Sequence, residues 1–282
     1  MKTLHVAQLY RKLRMRRCVR RSVVLLCGGV LAVTGRPDAL SAQGARFEWN
    51  GRIPSGGFIE VRAIWGDIHA ELASGSDVEV VAVKSGRRSN FSLVNIEILE
   101  DEDGVVICTL YPSSRRHPRT DCLRRRRGGN NDDVDVAVNF TVRVPSNVRF
   151  VARTVIGDVV AHALESQVSA HSVTGDVDVS TSGLATASTV SGSITASLGR
   201  SDWDGTLSFN TVSGDITLYL PEILNSDVSF ESVSGDFQSD FPVELRMRSG
   251  FRAGRLRGRI GDGGRHLELR TVSGNIDLRI RR

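Results

Sequence analysis

The sequence predicts an all-β fold: a β-solenoid or β-helix-like stack of repeats of about 20 residues behind a strand-rich N-terminal part. Three observations predict it. A short phrase recurs, clearest at Thr211-Val212-Ser213-Gly214-Asp215-Ile216. Variants start at Thr154, Ser172, Thr189, Ser232 and Thr271, and a more distant one at Ala63. Successive starts from Thr154 lie 18, 17, 22, 21 and 39 residues apart, the last gap being long enough for two units. Such self-similarity marks stacked, quasi-one-dimensional architectures. Within and beyond each copy, apolar and polar residues alternate, which is the period of a half-buried strand. No segment of the first mature half shows helical periodicity.

The chain opens with a leader. Arg11, Lys12, Arg14, Arg16, Arg17, Arg20 and Arg21 precede the apolar run Val23 to Val33, and Ala39, Ser41 and Ala42 follow. Basic start, apolar run and small residues are the grammar of a secretory signal peptide over 1–42, cut near 41–43. A retained membrane anchor is the alternative, but 11 apolar residues fall short of the roughly 20 a span needs. The expected location is therefore exported: periplasmic, cell-surface or secreted. Nine of the 37 basic residues and one of the 32 acidic ones lie in 1–42, leaving 28 basic and 31 acidic. The basic isoelectric point thus describes the precursor, and it gives a nucleic-acid role no footing.

Residues 43–150 read as a β-rich part. Phe58 to Ile64, Val78 to Val83, Val94 to Leu99, Val105 to Leu110 and Val134 to Val144 alternate, separated by turn clusters such as Ala73-Ser74-Gly75-Ser76. Pro145-Ser146-Asn147 is a turn signal before the repeat region, 151–282. Between Tyr111 and Asp133 lies an irregular insertion with seven arginines, among them Arg115, Arg119 and Arg124 to Arg127. Interleaved aromatic residues, which a single-strand nucleic-acid surface uses, are missing from it, so a solvated loop is the simpler reading. Cys108 and Cys122 bracket much of it and are the only cysteines after the leader. In an exported protein they are expected to form a disulfide closing a loop of about 15 residues.

In each copy, stepping by two from Val212 puts Val212, Gly214, Ile216, Leu218 and Leu220 on one parity, the side expected to face inward. The recurring glycines are Gly66, Gly157, Gly175, Gly192, Gly214, Gly235 and Gly274. Glycine inside a strand pattern marks a bend or a close backbone approach, so each copy reads as a strand kinked at glycine. On the outward parity stand Asp67, Asp158, Asp176, Asp215, Asp236 and Asn275, with Ser193 in the remaining copy. Stacked carboxylates repel unless neutralised. Calcium takes several oxygen ligands and could serve, but the two glycine pairs of calcium-binding β-roll repeats are missing; bonding of each side chain to nearby backbone is the simpler reading. No cofactor is otherwise called for. Trp65 and Tyr219, also outward, form a candidate ligand platform.

Hydrolase elbows, phosphate loops and zinc-protease motifs are missing, and His69, His117, His162, His171 and His266 are scattered. The Thr-Val-Ser-Gly-Asp-Ile/Val phrase, behind a leader and a strand-rich lead-in, resembles the bacterial putative-adhesin β-strand-repeat family, over about residues 55–282. The resemblance implies a solenoid-like cell-envelope protein with no catalytic residues to carry over. The expected function is a non-catalytic adhesin-like or structural binding module with an envelope or surface partner, a glycan among the candidates. The alternatives are a polysaccharide-active enzyme on a β-helix scaffold and an envelope-stress sensing partner. A terminal rung, expected at Thr271 to Ile280, would offer an unpaired edge for self-association.

Overall fold

The computed structural model describes residues 45–87, 90–112, 134–245 and 255–281. The leader, the arginine-rich insertion and Cys122 lie outside the described residues. Within them the protein is a two-sided β-solenoid: 21 strands in two sheets, one of 10 strands and one of 11, enclosing a shared apolar interior. Apart from a 3-10 turn at Phe91–Leu93, no helix occurs among the described residues, and none is long and apolar enough to cross a membrane.

Each repeat is one layer, made of a strand in the larger sheet, a corner, and a strand in the smaller sheet. The layers are β2 (Phe58–Arg62) to β3 (Ile68–Leu72), β8 (Arg149–Arg153) to β9 (Val159–Leu164), and β10 (Val168–His171) to β11 (Val177–Thr181). They continue with β12 (Ala185–Ser188) to β13 (Ile194–Leu198) and β14 (Thr206–Asn210) to β15 (Ile216–Leu220). Neighbouring layers pair in parallel, residue on residue, as in Val177 with Ile194 and Ile194 with Ile216. Equivalent side chains therefore recur at the strand spacing of about 4.8 Å. Ile68, Val159, Val177, Ile194, Ile216 and Ile276 stack into one fully buried ladder. Removing each such side chain from water is worth roughly 1.5–3 kcal/mol.

The corner is the recurring phrase, and it departs from a simple kinked strand. Thr211 is buried, Val212, Ser213 and Asp215 are exposed, and burial resumes at Ile216. Val155, Val173, Val190, Val212, Val233 and Val272 therefore point to solvent, not inward as alternation from Val212 predicts. Alternation fails because it holds only while the chain stays extended in one sheet. Here the chain leaves one sheet at Thr and enters the other at Ile, passing Gly at φ 145°.

Glycine is compulsory at this corner. A Cβ on Gly175 would lie 2.0 Å from the carbonyl oxygen of Gly157, and one on Gly192 would lie 2.1 Å from that of Gly175. The same approach repeats from Gly66 through Gly157, Gly175, Gly192, Gly214 and Gly274 to Gly235. Gly66 meets the carbonyl of Val138, on β7 (Ala137–Val144), so Val138 occupies the glycine place of a first layer with no such corner beneath it.

Spatial order departs from chain order at both ends. At the start, the smaller sheet runs β1 (Arg46–Gly51), β4 (Val78–Ser85), β7, β3, with β1–β4 and β4–β7 antiparallel. The larger sheet begins with β5 (Asn95–Asp101) antiparallel to β6 (Gly104–Leu110), which pairs with β2. Both sheets run unbroken across residue 150, since β2 pairs with β8 and β3 with β9. At the far end, β20 (Arg265–Arg270) and β21 (Ile276–Ile280) enter between β14–β15 and the layer of β16 (Ser226–Glu231) and β17 (Phe237–Ser239). The Thr271 copy is thus an interior layer paired on both sides, correcting its expected terminal place. The long gap before it is spent on β18 (Glu244–Leu245) and β19 (Arg255–Ile260), an antiparallel excursion beyond β16.

The corner geometry fixes an outcome. Gly175→Ala combines a left-handed φ with a backbone clash, and should lower unfolding free energy by about 3 kcal/mol or more. Gly75→Ala, where nothing lies within 4 Å, should stay within about 0.5 kcal/mol of the parent. Urea denaturation of the two variants checks this.

Candidate functional site

Two surfaces merit attention: the corner edge, which the repeats generate, and a polar cluster on the outer face of the larger sheet. At the edge, the hydroxyl that opens each phrase from Thr154 onward, buried in all but the half-buried Ser232, donates to the glycine carbonyl of the neighbouring layer. Thr154 Oγ1 reaches Gly66 O at 3.0 Å, Ser172 Oγ reaches Gly157 O at 2.9 Å, and Thr211 Oγ1 reaches Gly192 O at 2.8 Å. Thr189, Thr271 and Ser232 make the same bond to Gly175, Gly214 and Gly274. A buried carbonyl left without a donor costs about 1–3 kcal/mol, so a hydroxyl here has a structural task.

The acidic column is wired in the same direction. Asp67 Oδ1 accepts from the backbone N–H of Asp158 at 2.9 Å, Asp158 Oδ1 from Asp176 at 2.8 Å, and Asp176 Oδ1 from Ser193 at 2.7 Å. Ser193 Oγ accepts from Asp215, Asp215 Oδ1 from Asn275 at 2.7 Å, and Asn275 Oδ1 from Asp236 at 2.9 Å. Asn139 begins the ladder by accepting from Asp67 N–H at 3.0 Å. Each side chain thus bonds a backbone donor in the next layer, which explains why Asn and Ser substitute for Asp. Among the described residues, no group of three or more His, Cys, Asp or Glu could hold a metal ion.

Between these two columns stand the exposed valines, one in each layer from Thr154 onward, with the half-buried Ile64 at that place in the first, and beside them Trp65, Ile156, Thr174, Ser191, Ser213, Ser273 and Ser234, joined layer to layer by single parallel bridges. The edge is an apolar ridge with a hydroxyl row alongside it. Trp65 begins that row, whereas Tyr219 projects from the outer face of β15, beside Ser197 and Arg279. The two rings are both partly exposed but four layers apart, about 19 Å at the usual strand spacing, so they are not brought together. Cys108 is buried on β6, and its expected partner Cys122 lies outside the described residues.

The polar cluster is what sequence reasoning missed. Glu60, only 8 % exposed, accepts from Arg62 Nε at 2.7 Å, Arg62 Nη2 at 2.8 Å and Arg153 Nε at 2.8 Å. On the next strand, in register with Arg153, His171 is held at both ring nitrogens: Nδ1 lies 2.7 Å from Ser188 Oγ and Nε2 3.1 Å from Ser169 Oγ. Ser169 in turn contacts Thr186 at 3.0 Å. Period-two alternation marks all of these as outward, but which strand lies beside which is a matter of register that alternation does not state.

Burial pushes the Glu60 carboxyl up, and the hydrogen bond and charge of Arg62, with Arg153, more than offset this, leaving it below the ordinary carboxylate value. Burial pushes His171 down, and the Arg153 charge adds to this against the opposing pull of Glu60, giving a value of about 4. The imidazole is therefore neutral at pH 7 and bonds as a neutral ring. Both folded values lie below the unfolded ones, so both groups stabilise the fold above their unfolded pKa. Stability should fall as pH drops below about 6.5, where unfolded histidine starts to gain its proton, and continue falling through about 4. His171→Gln should flatten the pH 6.5 to 4 portion of a denaturation-midpoint curve while leaving the Glu60 portion below it.

Residues 157–279 match the sequence model of the family described as Toastrack DUF4097. Two similar solved structures are a "putative cell adhesion protein" from Clostridium sporogenes ATCC 15579 and a "putative adhesin" from Bacteroides fragilis NCTC 9343. The first is 10% identical, with 84% of this chain and 100% of that chain covered at a TM-score of 0.45. The second is 11% identical, with 83% and 97% covered at a TM-score of 0.36. No curated protein matches. Over residues 157–279 this chain is thus similar to the family described as Toastrack DUF4097.

Proposed function

We propose that this protein is an exported, non-catalytic interaction module of the cell envelope, binding a surface or envelope partner through its corner edge. One observation carries this reading: the edge holds valines exposed by 42–74 % in register on a stiff scaffold, with Val155, Val173, Val190, Val212, Val272 and Val233 in successive layers. A solvent-facing valine contributes little to folding, whereas a row of them beside a hydroxyl row offers contiguous apolar area with a polar margin. The carboxylates next to the ridge already accept backbone hydrogen bonds, which favours a structural role for them over chemistry.

The leader over 1–42 directs export in this reading, and its removal leaves a mature chain with a small net negative charge. Export places Cys108 and Cys122 in an oxidising compartment, where they pair and fasten the arginine-rich insertion to β6. Polysaccharide turnover and envelope-stress sensing are the readings it competes with, and glycan binding without turnover separates it from the first.

The test compares parent with Val173→Asp/Val190→Asp/Val212→Asp, three changes at exposed side chains. The purified exported parent should co-sediment with envelope fractions of its own cells. The triple variant should keep the parental circular dichroism and lose at least about tenfold in retention. Equal retention, or product release from a glycan panel, would replace the proposal. In the same preparations, denatured but unreduced protein should leave both cysteines unalkylated.

A further inference from the structure

Among the described residues, the stack ends on a layer whose bonding set is half used. In every interior corner, glycine N–H donates outward to the next layer, as Gly157 N does to Thr174 O at 2.9 Å. The valine carbonyl accepts from that layer, as Val155 O does from Thr174 N, and the residue after Asp donates to it, as Val159 N does to Asp176 O. The glycine carbonyl takes a Thr or Ser hydroxyl, and the Asp carboxylate takes a backbone N–H. In the last layer the inward half of this set is made: Ser232 Oγ bonds Gly274 O, and Asp236 N bonds Asn275 Oδ1. The outward half finds no partner among the described residues. It consists of the Gly235 and Phe237 N–H groups, the Val233 and Gly235 carbonyls, and the Asp236 carboxylate.

The surroundings match an open edge. Val233 is 74 % exposed where interior valines of the row are 42–48 % exposed. Among the described strands β17 is the edge of its sheet, paired with β21, whereas the opposite sheet extends two strands further through β19 and β18. An added strand in the smaller sheet would therefore lie opposite β19, where Leu256 is half buried; Leu245 on the adjoining β18 is exposed.

We infer that this edge receives a parallel strand carrying the repeat's own Ser/Thr-x-x-Gly pattern, supplied by a different polypeptide. The pattern is dictated by the acceptor. A hydroxyl is required opposite Gly235 O, and glycine is required three residues later. At each layer already stacked, a Cβ at that glycine would come 1.9–2.2 Å from the carbonyl beneath. Main-chain bonds along β17 would give affinity, and these two positions would give selectivity, the division of labour in strand addition to sheet edges.

A second copy of this chain is not the occupant that the geometry favours. Its own terminal corner offers the same carbonyls and the same Asp236, and the Ser232 hydroxyl it would need is already bonded within its stack. Its opposite end is closed by the antiparallel β1 and β5, which carry no copy of the phrase.

The probe is a fluorescent peptide with the sequence of residues 188–198, Ser-Thr-Val-Ser-Gly-Ser-Ile-Thr-Ala-Ser-Leu, titrated with the purified exported protein. Saturable binding is expected, weakened at least about tenfold when the peptide's glycine is replaced by alanine. Amide exchange should slow at Gly235 and Phe237 on binding. Asp236→Ala, an exposed change that leaves every interior layer intact, should weaken binding by about three- to tenfold without shifting the melting curve. No binding, equal binding of the two peptides, or protection located away from 235–239 would overturn the inference. So would concentration-dependent self-association that protects the same amides, which would assign the edge to a second copy.

Discussion

The structure depends on how closely adjacent layers approach at the glycine corner. Parallel strands at ordinary spacing leave room for side chains everywhere except where the chain turns from one sheet to the other, and there backbone rests directly on backbone. Glycine is the only residue that both adopts a φ near 145° and leaves the carbonyl below uncovered. Once that contact is set, the flanking positions follow. A small hydroxyl residue before it reaches the crowded carbonyl, and a short polar residue after it reaches the next layer's N–H. Within the stack, the phrase is a bonding scheme between layers.

That scheme also answers the charge question raised by a row of aspartates. Like charges at strand spacing cost energy, but each carboxylate here accepts a backbone hydrogen bond in return, and Ser193 and Asn275 interrupt the row with neutral groups. Charge on the outer face of the larger sheet is managed differently. Glu60 is nearly buried and sits between two guanidinium groups, a geometry in which removing one partner leaves an uncompensated charge.

Much of the fold was legible in the sequence because its two signals are local. Alternation marked β2, β4, β6 and β7 within a few residues, and the glycine requirement is imposed by the immediate neighbour in the stack. What escaped is non-local or sits at a change of direction. Alternation puts Val212 inward because it carries parity straight through a corner that resets it. Val138 and Asn139 act as a glycine-less copy of the corner, and nothing in their own sequence announces it, since the constraint on glycine comes from the layer beneath. The Glu60–Arg153 and His171–Ser188 contacts span 93 and 17 residues, and they depend on a register that alternation alone leaves open.

The late entry of β20 and β21 between two earlier layers bears on how the molecule is assembled. A solenoid whose layers follow chain order can zip up vectorially, each unit settling on a finished template. Here the β16–β17 segment emerges before the layer that separates it from β14–β15, so it must wait in the queue, or dock prematurely and be displaced. Closure of this end is therefore a long-range event, slower than the zippering behind it. A chain interrupted before residue 265 would carry 19 of its 21 described strands, yet lack the slab that joins its two portions.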